Sequence, residues 1–192
     1  MITKYMTYTP HQIILVNNKR YEILILLGKG KGGFSYLCKS LDNDNNYPLV
    51  VLKQIHHEPC DYYKFGNKIE AELNDYKRLC SLNIRIPKMI DYDSQQEIII
   101  KEYIEGKTIF EMVRDDEDVS SFISQVRSMG ESSKNAGLNI DYFPTNFVVK
   151  NGLIYYIDYE CNNYMDEWNF DNWGIKYWSK TPEFMEYLKS QI

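Results

Sequence analysis

Apolar and polar positions along this chain follow two different rhythms. Between Tyr21 and Gly106 the apolar residues come in short runs. YEILILL and FSYLCKS are joined by glycines, YPLVVLKQI follows the turn-forming cluster Asp42–Asn46, and IPKMIDYD and EIIIKEYIEG flank a polar turn. Short β-branched and aromatic runs bounded by Gly, Asn, Asp or Ser predict strands. Between the third and fourth runs the rhythm changes. From Lys64 to Ser81, Ile69, Leu73, Tyr76 and Leu79/Cys80 recur at helical spacing with charge on the remaining positions, which predicts an amphipathic helix. These pieces assemble into a five-stranded antiparallel sheet with one helix, ending at Gly106, with a lobe boundary near residues 102 to 106.

Beyond the boundary, Asp118 to Asn135 places Phe122, Ile123, Val126 and Met129 on one helical face, and Gly137 supplies a left-handed C-cap. NFVVKNG and LIYYIDY then meet at Asn151-Gly152, the dipeptide that favours a type I′ hairpin turn. The Trp-rich tail from about Asn169 ends in TPEFMEYLKSQI, with Thr181 as N-cap and Pro182 at the first helical position. The expected class is α+β: a single domain over residues 1–192, its N-lobe reaching to about 103 and its truncated, mainly helical C-lobe running from about 104.

Composition narrows the setting. With 192 residues and 44% apolar content the chain can bury a core. No uncharged apolar run approaches the roughly 20 residues of a membrane span, and the first residues hold no signal-like stretch, so a cytoplasmic protein without a membrane partner is expected. A net charge of -5 argues against nucleic acid as a main partner. Cys38, Cys60, Cys80 and Cys161 lack metal or disulfide spacing and are expected as reduced thiols.

Several polar residues interrupt these patterns. Gly28, Gly30, Gly32 and Gly33 lie between two strand runs, where missing Cβ atoms let backbone N–H groups approach phosphate oxygens; because a strand follows, this is not the strand-to-helix phosphate loop. Lys53 sits inside VVLKQI. Such a lysine ordinarily snorkels to water, unless an acidic partner such as Glu70 or Glu72 on the following helix directs its ammonium at phosphates. In NIDYFPTN, Asp141 precedes Asn146 by five positions, and Asp158 lies twelve further on in YYIDYE. Phosphoryl transfer needs a carboxylate beside the attacking hydroxyl and oxygen ligands for Mg²⁺, and these three residues fit those needs.

Together these segments resemble the protein-kinase-like superfamily from about Tyr21 to Trp178. GKGGFSYLCK resembles its phosphate-covering loop, with Gly30, Gly32 and Gly33, with Ser35 where a third glycine usually stands, and with Leu37 against adenine. An alternative register on Gly28, Gly30 and Gly33 puts Ser35 in Leu37's place. VVLK resembles V-A-I-K, giving Lys53 as the phosphate-orienting lysine and Glu72 as its partner. IIIKEYIEG looks like the hinge, with Glu102, Tyr103 and Ile104 facing adenine. NIDYFPTN resembles H-R-D-x-K-P-x-N, and IDYE stands for D-F-G. Asp141 is then the catalytic carboxylate, with Asn146 and Asp158 as metal ligands. Asn139 replaces the histidine, Phe143 the lysine and Glu160 the glycine. DNWGI, with Asp171 and Trp173, resembles the segment that anchors the catalytic loop from below.

The resemblance implies an ATP- and Mg²⁺-dependent kinase acting on a hydroxyl, foremost a protein Ser/Thr. Phe143 and the missing activation segment fit a small-molecule phosphotransferase of the aminoglycoside or choline kind. A pseudokinase that binds a protein partner through the aromatic C-terminal segment (Trp168, Trp173, Trp178) is the reading from a different class.

Overall fold

The computed structural model describes residues 7–42, 46–58 and 66–190. Cys60, Lys64, Phe65 and the middle of the Asp42–Asn46 cluster lie outside the described residues. The chain divides into two compact units, residues 1–73 with 88–103 and residues 74–87 with 104–192.

The first unit is built on strands β1 (Ile13–Val16), β2 (Lys19–Lys29), β3 (Gly33–Ser40), β4 (Leu49–Ile55), β5 (Met89–Asp93) and β6 (Ile98–Glu102). Helix α1 (Lys68–Cys80) interrupts the strand series. The sheet has six strands in the order β1-β2-β3-β4-β6-β5, each antiparallel to its neighbour, and so one more than the sequence pattern predicts. The extra strand comes from HQIILVNNKRYEI, where Asn17 and Asn18 take left-handed backbone angles (φ 47° and 64°) and turn the chain back onto Tyr21. Asn tolerates that region better than most residues, which makes Asn-Asn a tight hairpin turn.

The sheet curls until its two edges are joined through side chains. Asn17 Nδ2 donates to Asp91 Oδ1 and to the Tyr92 carbonyl, both at 2.9 Å, and Gln96 Nε2 donates to the Leu15 carbonyl at 3.1 Å. The enclosed face is packed with Tyr8, Ile14, Val16, Tyr21, Ile23, Phe34, Tyr36, Cys38, Val50, Leu52, Ile98 and Ile100. Alternation along the strands therefore sends Leu37, Val51, Lys53, Ile99 and Lys101 to the opposite face.

The second unit comprises the end of α1, β7 (Lys107–Thr108), α2 (Ile109–Arg114), α3 (Ser120–Asn135), β8 (Leu138–Ile140), β9 (Phe147–Lys150), β10 (Leu153–Tyr156), β11 (Cys161–Asn163) and α4 (Pro182–Ser190). Asn151 and Gly152 take positive φ values of 52° and 74°, as the type I′ turn between β9 and β10 requires. Gly137 caps α3 at φ +72°, and Thr181 Oγ1 accepts from the Phe184 N–H at 3.2 Å to start α4. Helix α2 is not predicted by apolar spacing. It begins in a capping box, where Thr108 Oγ1 accepts from Glu111 N–H at 3.1 Å and Glu111 Oε2 accepts from Thr108 N–H at 2.8 Å. Among the described residues no helix is long and apolar enough to cross a membrane.

Candidate active site

In the first unit, strand register positions Lys53. It pairs with Ser35 on β3 and Ile99 on β6, so its side chain leaves the face opposite the apolar core. There its ammonium meets Glu72 Oε1 from α1, with only 11% and 14% of the two side chains exposed. Glu70, the other acidic residue considered as a partner, is exposed in the first turn of the helix. Glu72 Oε2 is buried and has no hydrogen-bond partner among the described residues.

The glycine-rich segment is the turn between β2 and β3, closed by Gly30 N–H donating to the Gly33 carbonyl at 2.9 Å. A Cβ on Gly33 would lie 2.4 Å from the Gln54 carbonyl oxygen, so only glycine fits that crossing. A Cβ on Gly32 would lie 3.5 Å from Lys53 Nζ and 3.6 Å from Glu72 Oε1, which places the turn directly over the ion pair. Two buried side chains hold the turn from behind. The His56 ring nitrogen Nε2 lies 3.0 Å from the Gly30 carbonyl, and Lys68 Nζ donates to the carbonyls of Lys31, at 3.3 Å, and His56.

Leu37 lies two positions along β3 from Ser35, in one row across the sheet with Ile25, Val51, Lys101 and Met89. Glu102 ends β6, its N–H donating to the Lys88 carbonyl at 2.8 Å, and Tyr103 follows half-buried. Ile104 is buried in the second unit.

In the second unit the carboxylates are placed by loops, and the loops by aromatic side chains. Asp141 Oδ1 accepts from the Phe143 N–H at 3.0 Å, and Asn146 Nδ2 donates to the Asp141 carbonyl at 3.4 Å. Ile157 N–H donates to the Asn146 carbonyl at 2.8 Å, which carries the chain into Asp158; Asp158 Oδ1 accepts from the Tyr159 N–H at 2.8 Å. Tyr156 ties these segments together. Its hydroxyl accepts from the Asp141 N–H at 3.2 Å and donates to the Glu160 carbonyl at 2.7 Å. Full burial, with the charges of Asp158 and Asp141 beside it, holds the Tyr156 phenol well above its ordinary range and keeps it neutral. Tyr159, in the aromatic place of the triplet, is buried against Tyr76 with ring centroids 4.8 Å apart and donates to the Pro87 carbonyl at 2.8 Å.

The NIDYFPTN segment rests on the tail. A Cβ on Gly174 would come within 2.5 Å of Tyr142 Cβ, and Trp178 Nε1 donates to the Tyr142 carbonyl at 2.9 Å while its ring packs on Phe147 and Phe170. Of the anchoring expected of Asp171 and Trp173, Trp173 supplies its share, and Gly174 and Trp178 add to it. Asp171 is instead exposed, paired with Arg127 at 2.8 Å, and Trp173 packs on Phe143. Phe143 also meets Tyr177 and Tyr187, at centroid separations of 5.0 and 4.6 Å, so it forms an aromatic joint between the NIDYFPTN segment and the tail. Of the three tail tryptophans Trp178 is buried, Trp173 half-buried and Trp168 49% exposed.

Tyr156 and Val51 were not singled out by sequence reasoning. Val51 lies two residues before Lys53 on β4, an alternation that could have found it, whereas Tyr156 ends β10 two residues before Asp158 in the loop and has no such signal.

No family model matches the chain. It is similar to the serine/threonine-protein kinase ppk13 of Schizosaccharomyces pombe (strain 972 / ATCC 24843), with 27% identity over 124 residues, which cover 61% of this chain and 34% of that protein. The chain thus spans about a third of that relative's length. In structure it resembles the crystal structure of the PF14_0431 kinase domain, with a TM-score of 0.59 and 14% identity, covering 84% of this chain and 56% of that one. The fold is protein-kinase-like.

Proposed function

We propose that the protein is a kinase-type phosphotransferase that moves the γ-phosphoryl group of Mg²⁺-bound ATP to a hydroxyl. One observation carries the reading: the Lys53–Glu72 ion pair lies directly beneath the glycine turn, on a fold shared with kinase domains. A lysine held there by an anion has no evident structural need, because an apolar residue would satisfy a buried strand position at lower cost. Its use is to hold the α- and β-phosphates while Gly30, Gly32 and Gly33 let the backbone come close to them.

In this reading Leu37 packs on the base and the chain from Glu102 through Tyr103 to Ile104 borders it. Asp141 takes the proton of the attacking hydroxyl, whose oxygen bonds to the γ-phosphorus as the bond to the β–γ bridging oxygen breaks. The products are a phosphate ester and the nucleoside diphosphate. Asn146 and Asp158 offer hard oxygen donors that fit Mg²⁺, which takes one or two protein ligands and completes its shell with phosphate and water. The ion would neutralise charge on the phosphate oxygens.

A protein Ser/Thr hydroxyl is the leading acceptor, supported by the likeness to a serine/threonine-protein kinase. A small-molecule acceptor is the second reading, favoured by the aromatic joint at Phe143, which leaves no lysine to steady the transferred group from the catalytic loop. Thermal shift with ATP, with and without Mg²⁺, followed by a phosphate-transfer assay on a peptide pool, tests both. A ligand that binds the native state raises its stability. Asp141→Ala should abolish transfer while the nucleotide shift survives; unchanged turnover removes Asp141 from the mechanism. A Mg²⁺-dependent shift without peptide phosphorylation moves the acceptor to a small molecule, and no shift at millimolar nucleotide sinks the enzyme reading.

A further inference from the structure

Four of the chain's arginines are each matched to an aspartate: Arg20 to Asp42, Arg78 to Asp75, Arg114 to Asp115 and Arg127 to Asp171, at 2.7–2.9 Å. The fifth, Arg85, lies in the second unit between α1 and β5 and has no carboxylate partner among the described residues. Neutral groups hold it instead. Its Nε donates to the Ile154 carbonyl and its Nη2 to Gln125 Oε1, both at 2.8 Å. Gln125 is fixed in turn, accepting from the Ile154 N–H at 3.1 Å and donating through Nε2 to the Gly152 carbonyl at 2.9 Å. A guanidinium carries five N–H donors, so three of those on Arg85 have no partner among the described residues. Arg85 and Gln125 line a cavity of about 290 Å³, together with Asn83, Ser124 and Ser128. The cavity belongs wholly to the second unit, and no carboxylate lines it.

We propose that this cavity is an oxyanion-binding site, anchored by the Arg85 guanidinium and suited to a phosphate group, either free or as a monoester on a small molecule. It lies outside the residues assigned above to phosphoryl transfer and does not depend on that assignment. The planar fork of a guanidinium, already oriented by Ile154 and Gln125, presents paired donors that match two oxygens of one oxyanion. The Asn83 amide and the Ser128 hydroxyl add donors, as does Ser124, whose contact to the Ser121 carbonyl is a long 3.5 Å. That set exceeds what the two oxygens of a carboxylate need and fits the three peripheral oxygens of a phosphate monoester. The volume is several times the roughly 30 Å³ that one water occupies, enough for a phosphate and part of the group that bears it. The site also touches the strand that carries Tyr156, because the Arg85 carbonyl accepts from the Tyr156 N–H at 2.8 Å.

The test is an NMR titration of the whole chain with inorganic phosphate, phosphoserine and acetate at equal ionic strength, read from the backbone amide signals. Amides of residues 83–85, 124–128 and 152–154 should shift saturably with either phosphate compound and stay in place with acetate. Tighter binding of phosphoserine identifies a monoester as the ligand, and tighter binding of inorganic phosphate a free anion. Ser128→Asp, at an exposed position of α3, sets a carboxylate in the cavity while leaving the bonds of Arg85 to Ile154 and Gln125 in place, and should weaken phosphate binding about tenfold or more. Arg85→Lys keeps the charge without the fork and should weaken it similarly. No shift at these amides, an equal response to acetate, or undiminished binding by Ser128→Asp overturns the proposal. Phosphate-induced shifts confined to residues 28–33 and 53 also overturn it, while supporting the phosphotransferase reading. If Arg85→Lys fails to fold, the native titration and Ser128→Asp still decide.

Discussion

The two units hold their candidate chemistry by opposite means. In the first, a strand ladder fixes Lys53, with Ser35 and Ile99 as register partners, and one helix brings Glu72 to it through a direct ion pair. In the second, Asp141, Asn146 and Asp158 lie on loop segments, and their places depend on the Tyr156 hydroxyl, the Tyr159 ring and the Trp178–Tyr142 contact. The difference follows from backbone hydrogen bonding. A strand interior has its N–H and C=O groups satisfied by its neighbours, so its side chains inherit a direction. A loop has no such ladder, and buried side chains must supply the missing partners.

The largest expected effect tests that dependence. Trp178→Ala removes a ring packed on Phe147 and Phe170 together with the hydrogen bond to Tyr142, and should cost about 3–5 kcal/mol of stability by denaturant unfolding. Transfer activity should fall even where the protein remains folded, because the segment bearing Asp141 loses its support. A Trp178→Ala protein of native stability would show that the tail is not the support of the catalytic loop.

A smaller effect is expected in the first unit from Glu72→Gln, which keeps the shape of the side chain and removes its charge. Lys53 then keeps a neutral acceptor in a nearly closed site. The cost should be roughly 1–3 kcal/mol, accompanied by a weaker nucleotide-induced thermal shift. Unchanged stability and an unchanged shift would mean that the ion pair orients nothing.

The smallest effect distinguishes the units by pH and access. Burial pushes the thiols of Cys38 and Cys161 up to about 12 from an ordinary 9.0. Because these folded-state values are raised, the stabilisation they reflect is complete below pH 9 and is lost as pH climbs from 9 toward 12, where the unfolded chain gives up protons that the native one retains. Unfolding curves at pH 8 and pH 10.5 should show that decline. Among the three cysteines of the described residues, thiol labelling at pH 8 should reach the exposed Cys80 first, then Cys161 near the loops, and last Cys38 inside the strand ladder. Labelling of Cys38 ahead of Cys161 would reverse the ranking of the two units.

Much of the first unit is legible in the amino-acid order. The strand runs, the helix over Ile69 to Leu79, and the glycine turn all appear where apolar spacing and turn residues put them. The sixth strand is missed because Ile13–Val16 follows a polar, aromatic opening and its turn, Asn17-Asn18, lacks glycine. The second unit is less legible. Its hairpin at Asn151-Gly152 and the cap at Thr181 follow from local chemistry, but α2 announces itself only through Thr108 and Glu111. The shift of anchoring from Asp171 to Gly174 and Trp178 has no local signal, since the two candidate anchors lie within eight residues and differ only in what they meet in space.

What the sequence determined by itself is the order and spacing of the groups: a lysine on a strand, glutamates on the helix after it, and Asp141, Asn146 and Asp158 around a hairpin. Strand register, with Ser35 opposite Lys53 and Leu37 opposite Val51, put Lys53 and Leu37 on one face. Tertiary structure alone decided that Tyr156 ties the segments of Asp141 and Asp158 together, and that Phe143 is packed between loop and tail. It likewise placed Lys101 in the row of Leu37 and Val51. Local propensity and periodicity act over a few residues, whereas these choices were set by which distant surfaces bury each other.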